Sequence, residues 1–501
     1  MRLGYIAKRC VVFKIHKTVF KIYKIHVSTL CTAFRVIKGA QCVKGFTTGS
    51  SELDKLIGEI PPRTMLLIVG HPGSGKTTLA SQICYANAVR GHKCLYMTFY
   101  EDREKLFRNM GRLKINLAEV ENKGFLTYVK LPVASAEELM DIVAKLVASD
   151  HYNVVVIDSI NPALELVERE ESKRAIVLNF FYQLVDIIDG LLVAVAEMPI
   201  GKETLEYGSI EFVADLILYL KHRITRGLRS RILEVRKVRG APSSVIEVPF
   251  AILNDAGFKV YLPPRPERMM RGREHAISTT ISFITKLAGP IYKGDTIDIS
   301  FPPHAREALT IVPLVDIAVT NNLKALLISY KYSPDEVKEL FIEVFGSYFN
   351  LGKDVVLSIL NRHFTIESFN PASYALTHLY AVEVELIEDL KPDMVVHHGT
   401  EIFSAVADPS EYWTLLISML TWLKNNGKLV IRYSARISPQ WTRINEILAD
   451  IVVRVYYKRE GGALKPVFYI WRRGRTPLLF DFTNEDITQA ALEASETSRP
   501  Y

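Results

Sequence analysis

The sequence predicts an α/β protein with mainly parallel central sheets flanked by helices, in two copies along one chain. Continuous apolar runs such as TMLLIVG (64–70) and NVVVIDS (153–159) alternate with helical patterns, which is typical of parallel strands buried on both faces. The second half repeats this arrangement. KALLISYKYSPDEVKELF (324–341) follows KCLYMTFYEDREKLFRN at an offset of 231, and PDMVVHHGTE (392–401) follows YNVVVIDSIN at an offset of 240. Steady offsets of this kind predict a duplicated domain.

The elements of the first half follow in a regular order. TMLLIVG predicts the first strand, and a Gly-rich loop and a helix to about Arg90 come after it. KCLYMTF (93–99), NVVVIDS and LLVAVAE (191–197) predict the next core strands, with helical patterns between them. The last three runs, joined by short turns, are interpreted as an antiparallel extension of the sheet: ADLILYLKHR, SRILEVRKVRG and IEVPFAILND.

Domain boundaries are predicted from changes in composition. The first half is expected to span 45–262, and the second 275–482. Between them lies LPPRPERMMRGRE, which is rich in Pro and Arg and predicts a linker over 263–274. A polar tail covers 483–501 and is expected to be frayed.

The amino-terminal segment 1–44 has an unusual charge. It holds ten Lys and Arg and no acidic residue, so removing it changes the net charge from +7 to −3, with 52 basic and 55 acidic residues remaining. We interpret the segment as a disordered arm or as sequence upstream of a true start near Val43. A basic amphipathic segment for a membrane surface or RNA is the alternative. The near-neutral remainder gives no electrostatic argument for nucleic-acid binding.

Composition excludes several other classes of protein. The chain is 49% hydrophobic and 23% charged, which is the range of globular proteins. None of its apolar runs approaches 18 uncharged residues, so a transmembrane helix is not expected. Five cysteines without regular spacing predict neither a disulfide framework nor a zinc site. A reducing, cytoplasmic location is therefore expected.

The loop after the first strand carries the clearest chemical signal. GHPGSGKT (70–77) matches G-x-x-x-x-G-K-[ST] between a strand and a helix, which is the context of a phosphate-binding P-loop. Glycines let successive N–H groups curl around an anion, and the following helix adds its positive end. The Lys76 ammonium can reach the β- and γ-phosphates, and the Thr77 hydroxyl can ligate Mg²⁺. The predicted ATP-binding residues are Gly70, His71, Pro72, Gly73, Ser74, Gly75, Lys76, Thr77 and Thr78.

Asp158 is the candidate acidic partner of this loop. It ends the apolar run VVVI, so it is expected at the carboxyl edge of its strand, beside the P-loop. There it can hold Mg²⁺, usually through water. The alternative is a purely structural role, in which Asp158 caps the next turn.

Six segments, in this order, resemble KaiC-like ATPases of the RecA/RadA superfamily, which is abundant in archaea. They are FTTGSSELDKLIG (46–58), VGHPGSGKTT, LYMTFYEDREKLFRNMGRL, VVVIDSI, AEMPIG with EYGSIEFVADLILYL, and LEVRKVRGAP. The resemblance is strong over 46–262 and weak over 275–482. It implies tandem RecA-like P-loop NTPase domains, often assembled as a hexameric ring with ATP between subunits.

This chain departs from the family pattern at the expected catalytic base. In KaiC the corresponding strand ends in TFEE, and the first Glu is usually assigned as the base that activates water. This chain has TFYE, so Tyr100 stands at that position and Glu101 follows it. A Tyr is too weak a base at neutral pH, so either Glu101 takes the role or hydrolysis is slow. Glu197, where the family often has a group that senses the γ-phosphate, is equally well explained as a solvated strand-end acid.

The segment RKVRG matches the family's Lys-x-Arg-Gly pattern. The resemblance implies that Lys237 and Arg239 reach into a neighbouring subunit's site and stabilise transition-state charge, as an arginine finger does. Two residues apart on a strand, both would point to the same side. A solvated basic strand edge is the alternative.

The second half is predicted to have lost the nucleotide site. ISFPPHAREA (299–308) stands in place of the cradle, with Arg306 for the Lys and Glu307 for the Thr. His398 stands in place of the Asp and Tyr332 in place of Glu101, while Arg473 keeps the position of the finger Arg. His397 and His398 are expected to be partly buried strand residues rather than metal ligands.

Three functions remain open from the sequence. The leading hypothesis is an ATP-binding, slowly hydrolysing switch in signalling or regulation, which acts as a homo-oligomer with a regulatory protein as a further expected partner. A DNA-binding recombination or repair ATPase is the first alternative, and a non-hydrolysing ATP-binding scaffold is the second.

Overall fold

A computed structural model describes residues 45–132, 135–165, 171–198, 210–225, 227–239, 246–254, 256–262, 276–279, 289–303 and 308–481. The predicted basic segment 1–44, the linker 263–274 and the tail 483–501 lie outside the described residues. The chain divides into two compact units. The first ends at Tyr261, and the second begins at Leu262 and also includes Ile224–Ser230. The predicted domain limits of 45–262 and 275–482 stay predictions.

The first unit contains a nine-stranded sheet with the order β3-β2-β4-β5-β1-β6-β7-β8-β9. From β3 to β6 all neighbours are parallel, and the pairs β7–β8 and β8–β9 are antiparallel. In chain order the strands are β1 (Thr64–Gly70), β2 (Cys94–Thr98), β3 (Leu126–Lys130), β4 (Val154–Asp158), β5 (Leu191–Glu197), β6 (Leu216–Thr225), β7 (Leu228–Val238), β8 (Ile246–Leu253) and β9 (Gly257–Val260).

One strand differs from the sequence-based interpretation. ADLILYLKHR was expected to open an antiparallel extension, but β6 pairs in parallel with β1 and belongs to the core of the sheet. The antiparallel part begins with β7, which returns along β6 so that the Arg239 amide donates to the Asp215 carbonyl over 2.8 Å. The short turn after β6 suggested a hairpin, but it carried no information about the strand on the other side of β6.

Helices cover both faces of this sheet. The described helices of the first unit are α1 (Ser51–Ile57), α2 (Lys76–Val89), α3 (Arg103–Gly111), α4 (Leu117–Asn122), α5 (Ala136–Ser149), α6 (Asn161–Glu165), α7 (Glu171–Ile188) and α8 (Ile210–Val213). Met65, Leu67 and Val69 of β1 pack with α5 and α7 in one apolar cluster. The intervening Leu66 and Ile68 are also fully buried. This double burial explains why the strand is a continuous apolar run.

The second unit repeats the same topology. Its eight-stranded sheet has the order β14-β13-β15-β16-β12-β17-β18-β19, which is the order of the first eight strands of the first sheet, from β3 to β8, with each replaced by its later counterpart. A two-stranded piece, β10 (Ala276–Ile277) with β11 (Ile291–Tyr292), precedes it. The strands are β12 (Thr296–Phe301), β13 (Ala325–Ser329), β14 (Phe364–Ser368), β15 (Met394–His398), β16 (Leu429–Ala435), β17 (Ile451–Glu460), β18 (Ala463–Arg472) and β19 (Leu478–Asp481). Both units are therefore mainly parallel α/β sheets in tandem, as predicted.

Helices also flank the second sheet, and the sequence explains some of their limits. The described helices are α9 (Ala308–Thr320), α10 (Pro334–Phe349), α11 (Lys353–His363), α12 (Leu376–Leu390), α13 (Phe403–Val406), α14 (Pro409–Asn425) and α15 (Pro439–Glu446). A capping box formed by Ser333 and Glu336 begins α10, because each side chain accepts a free helix-end N–H. Among the helices described in the two units, none is long and apolar enough to cross a membrane.

Candidate functional site

The P-loop occupies the turn between β1 and α2. Gly70 ends the strand and Lys76 begins the helix, and the Ser74 amide donates to the His71 carbonyl over 3.1 Å. Gly73 and Gly75 have φ angles of 74° and 106°, in the left-handed region that favours glycine. These two glycines allow the turn that a bound anion needs.

The loop also leaves no room for a side chain at two of its glycines. A Cβ on Gly70 would lie 2.5 Å from the Leu220 carbonyl oxygen and 2.6 Å from Ser74 Oγ, and one on Gly75 would lie 2.6 Å from Ile252 Cδ1. Ser74 Oγ is buried without a hydrogen-bond partner among the described residues. A buried hydroxyl without a partner is costly, and a phosphate in the loop would supply an acceptor. The residues present therefore fit a phosphate group.

Lys76 lies at the first turn of α2 with only 5% of its side chain exposed. Its Nζ donates to the His71 carbonyl over 3.1 Å and lies 3.6 Å from Glu197 Oε1. Burial lowers the pKa of Lys76, and the Glu197 and Asp158 carboxylates offset part of that shift. The ammonium is thus held at the loop by the main chain and by an acid that is half exposed.

Asp158 and Thr77 meet beside the loop. Asp158 Oδ2 accepts from the Tyr96 hydroxyl over 3.0 Å, and the carboxylate is also hydrogen-bonded to Thr77. Burial raises the pKa of Asp158, while Thr77, Tyr96 and Lys76 pull it back down. A carboxylate next to a hydroxyl is an oxygen donor pair that suits Mg²⁺, which keeps several water ligands of its own.

Metal sites of other kinds are not found in the described part of the chain. It contains no group of three or more His, Cys, Asp or Glu that could hold a metal ion. His397 and His398 are both buried at the end of β15, in agreement with the expectation that they are strand residues. A cation at Thr77 and Asp158 would thus complete its coordination with water and phosphate oxygens.

Glu101 lies at the same edge of the sheet. Thr98 of β2 is paired with Asp158 of β4, and the Glu101 amide donates to Thr98 Oγ1 over 3.4 Å. The Glu101 carboxylate is 3.5 Å from Lys105 Nζ. Tyr100, by contrast, has 66% of its surface exposed. Glu101 thus follows the strand that pairs with the Asp158 strand, at the same edge of the sheet, and Tyr100 is exposed to solvent.

Lys237 and Arg239 lie at the opposite end of the sheet from the P-loop. Lys237 Nζ donates to the Glu211 carbonyl over 2.9 Å, and Arg239 Nη1 lies 2.8 Å from Asp215 Oδ1. Asp215 in turn accepts from the Met65 amide at the start of β1. Gly70 is five residues further along this strand, about 17 Å away. The structure does not bring the two cations to the P-loop of their own chain.

Two contacts at the site were missed from the sequence. Asn161 holds the end of β5, since its Oδ1 accepts from the Glu197 amide over 2.7 Å and its Nδ2 donates to the Glu197 carbonyl over 3.1 Å. Tyr96 is the buried donor to Asp158. The sequence did hold a signal for Tyr96, because it is a polar residue in an otherwise apolar strand. It lies two residues before Thr98, and alternate residues of a strand share a face.

The equivalent edge of the second sheet is closed by an arginine. Phe301 pairs with Ala435, as Gly70 pairs with Glu197 in the first sheet. The Arg436 guanidinium donates to the Ser300 and Val455 carbonyls, each over 2.6 Å. Residues 304–307, which include the expected Arg306 and Glu307, lie outside the described residues.

Strand register corrects one part of the sequence comparison. The alignment of 299–308 with 69–78 placed Ser300 at the position of Gly70, but Phe301 occupies it. Two other equivalences hold, and those of Arg306 and Glu307 stay predictions. His398 pairs with Ser329 as Asp158 pairs with Thr98. The Arg473 amide donates to the Asp450 carbonyl over 3.0 Å, so Arg473 takes the position of Arg239.

Comparisons with known proteins agree with this geometry. Residues 46–265 match the family model of the KaiC ATPase. The chain is 20% identical over 379 residues to the circadian clock protein KaiC3 of Synechocystis sp., covering 73% of this chain and 74% of that protein. It is 25% identical over 198 residues to the circadian clock oscillator protein KaiC of Thermostichus vulcanus, covering 39% of this chain and 38% of that protein. A UPF0273 protein of Thermotoga maritima is 26% identical over 245 residues, which cover 44% of this chain and 96% of that protein. Residues 46–265 are therefore a KaiC-like P-loop ATPase domain of the RecA superfamily.

Proposed function

We propose that the first unit binds ATP with Mg²⁺ and hydrolyses it slowly, and that the chain acts as a nucleotide-driven regulatory switch. The observation that carries this proposal is the buried Lys76 ammonium, which lies beside a loop that fits phosphate. Thr77 and Asp158 support it, because they form an oxygen donor pair next to that lysine. A cytoplasmic location and a regulatory protein partner belong to the same proposal.

Each residue has a distinct task in this proposal. The loop amides and Lys76 bind the phosphates, and Thr77 and Asp158 hold the cation. Mg²⁺ at this position neutralises charge on the phosphate oxygens. The Glu101 carboxylate, at the same sheet edge, takes a proton from the attacking water. Glu197 holds the Lys76 ammonium at 3.6 Å and orients it towards the loop.

We propose further that the fingers act between copies of the chain. Lys237 and Arg239 lie at the far end of the sheet from their own P-loop, so they serve the P-loop of a neighbouring copy. Phe212 supports this, because its carbonyl accepts from both cations while 79% of its surface is exposed. Aromatic residues and arginine are enriched at protein interfaces. A homo-oligomer follows, and the family resemblance implies a hexamer.

One alternative has an observation in its favour. A non-hydrolysing scaffold is supported by Tyr100, which stands where the family has its base, and by the Glu101 carboxylate being paired with Lys105. The DNA-binding recombinase is less well supported, because the chain outside 1–44 carries a net charge of −3 and the matched relatives are KaiC-like proteins.

Calorimetry of ATP binding with Mg²⁺, followed by phosphate release, tests the proposal. Wild-type protein is expected to bind ATP. Lys76→Ala is expected to lose about 100-fold in affinity, because removing one partner of a buried charged pair costs about 2–5 kcal/mol. Lys331→Ala is the matched control, since Lys331 follows β13 at the same edge of the second sheet, and it should bind ATP like the wild type.

The results separate the alternatives. Phosphate release by wild type that is lost in Glu101→Gln supports the switch, and binding without release supports the scaffold. Equal ATP binding by wild type and Lys76→Ala would contradict both. Size-exclusion chromatography with light scattering, with and without ATP and Mg²⁺, measures the assembly directly.

A further inference from the structure

The second unit contains a partly open cavity of about 60 Å³ that the nucleotide site does not use. It lies between α12 and α14 on one side and β13, β15 and β16 on the other. Its apolar wall comes from leucines and a methionine of α12 and α14 and from aromatic rings. The residues with polar groups that line it are three tyrosines, at 330, 380 and 412, together with Glu383, His397, Thr400 and Arg432.

A row of polar residues crosses the sheet beside this cavity. His397 of β15 pairs laterally with Arg432 of β16, and Arg432 pairs with Asp298 of β12. All three are buried, with Arg432 only 1% exposed. Buried charges cost stability unless they are fully paired, so an arginine at the centre of a sheet is unusual.

The first unit has no such row. The equivalent positions, by strand register, are Ile157 of β4, Ala194 of β5 and Leu67 of β1, which pair in the same way. All three belong to its apolar core. The same fold is therefore stable with an apolar row, and the polar residues of the second unit are not required by the topology.

Four atoms of the row lack hydrogen-bond partners among the described residues. They are His397 Nε2, Arg432 Nε and both carboxylate oxygens of Asp298, and all are buried. The other two guanidinium nitrogens are bonded, and Arg432 Nη1 donates to the Asn445 carbonyl over 3.3 Å. Arg432 Nη2 donates to Tyr412 Oη over 2.9 Å and to Asn445 Oδ1 over 2.7 Å, and Asp298 Oδ1 is 3.6 Å from Nη1. Arg432 Nε and, in its Nε2–H tautomer, His397 therefore present donors that have no acceptor among the described residues.

Glu383, at the same cavity, adds a third donor rather than an acceptor. Its Oε1 accepts from the Tyr330 hydroxyl over 2.7 Å, and its Oε2 lies 3.7 Å from His397 Nε2. Burial raises the pKa of Glu383 to about 8, so at neutral pH it carries a proton, and the free oxygen Oε2 can donate it. Burial and the nearby Arg432 charge lower the pKa of His397 to about 3, so the imidazole is neutral. Arg432 is the cation that lines the cavity, and its partner Asp298, 3.6 Å from Nη1, is not among the lining residues.

We propose that this cavity binds a small monocarboxylate, whose oxygens accept from Arg432, His397 and Glu383. The positive charge and the unpaired donors favour an anion over a neutral molecule. The volume limits the ligand to a few carbon atoms, because the cavity is less than half the size of one of about 150 Å³ that binds benzene. The apolar wall, in turn, favours a ligand with a short hydrocarbon part over inorganic anions.

Propionate and propionamide test this proposal on the full chain by calorimetry. The two molecules have nearly the same shape, but only propionate is charged. Propionate is expected to bind with at least tenfold higher affinity than propionamide. Binding of propionamide that equals or exceeds that of propionate would overturn the proposal, as would the absence of propionate binding at millimolar concentrations.

Two variants assign the binding to the cavity. His397→Ile introduces the residue of the first unit at this register and should weaken propionate binding at least tenfold. Leu416→Trp fills the cavity from α14 without altering the charged row and should abolish binding. Circular dichroism and tryptophan fluorescence check that each variant is folded. Unchanged propionate affinity in folded Leu416→Trp would place the ligand elsewhere, and a crystal structure grown with propionate that showed only ordered water in the cavity would also refute the proposal.

Discussion

The two units have the same strand order but place their polar residues in opposite parts of the sheet. In the first, the centre is apolar and the charged groups, Lys76 and Asp158, lie at the carboxyl edge of the strands. In the second, Arg436 closes that edge and charged groups lie in the centre, where Arg432 pairs with Asp298. The comparison shows that a fold fixes positions, whereas chemistry depends on which positions carry polar side chains.

The difference also has an energetic side. Lys76 and Asp158 are also buried, but they lie at the sheet edge beside a loop that fits a ligand. Polar groups in the centre lose their water on folding and are costly unless they are paired. A ligand in the cavity of the second unit would reduce that cost.

The largest expected effect concerns the finger position, which both units retain. Arg239→Ala should lower ATP turnover by about 10³-fold, because an arginine finger contributes at least that much to phosphoryl transfer. Arg473→Ala, at the equivalent position of the second unit, should leave turnover unchanged. Phosphate release at saturating ATP and Mg²⁺ measures both. Equal losses in the two variants would show that the arginines have a structural role and would remove the distinction between the units.

A smaller effect is expected at the magnesium position. Asp158→Asn should weaken Mg²⁺-dependent ATP binding by about 10- to 100-fold, because a carboxylate that positions the cation is replaced by a neutral amide. His398→Asn is the matched change at the equivalent position of the second unit and should have no effect. ATP titrations at several Mg²⁺ concentrations test this pair. An effect of His398→Asn as large as that of Asp158→Asn would mean that the second unit takes part in nucleotide binding.

The smallest effect is expected in the pH dependence of stability. Burial raises the pKa of Glu383 to about 8 and that of Asp298 to about 7. A carboxyl with a raised folded-state pKa binds its proton more tightly when folded, so its contribution is complete below its ordinary pKa and is lost as pH rises through the folded value. Between pH 6.5 and 9, Glu383 should therefore cost the second unit about 2 kcal/mol of unfolding free energy.

Tryptophan fluorescence isolates this change. All four tryptophans, at 413, 422, 441 and 471, lie in the second unit. Denaturant unfolding followed by their emission should show stability falling from pH 6.5 to 9. Glu383→Gln keeps the Tyr330 contact without a titrating group and should reduce the fall by about 2 kcal/mol. His397 stays neutral across this window and should contribute little. A Glu383→Gln variant with the wild-type pH dependence would contradict the assigned protonation.

Much of the first unit could be predicted from the sequence, because its signals are local. The P-loop is one contiguous stretch whose strand, glycines and helix identify one another. Asp158 follows from the position at which an apolar run ends. The duplication was also visible, since the apolar strands recur at steady offsets even where the chemistry differs.

The contacts that the sequence did not reveal depend on which residues are paired across neighbouring strands. Asp298, His397 and Arg432 are far apart in the chain and become neighbours only through strand pairing. The same reason explains why Phe301, and not Ser300, takes the position of Gly70. Two prolines follow this strand, and the sequence pattern alone does not fix where the strand ends. The contact of Asn161 with Glu197 joins two segments 36 residues apart, and no local pattern predicts it.

Arg436 bears on how the two units can evolve. Its guanidinium bridges the carbonyls of two strands at the place where a cradle would have to form. Restoring glycines and a lysine after β12 would not by itself recreate a nucleotide site, because the bridge would remain. Removing the arginine first would leave those carbonyls without donors. A nucleotide cradle after β12 would thus require the loop and the arginine to change together.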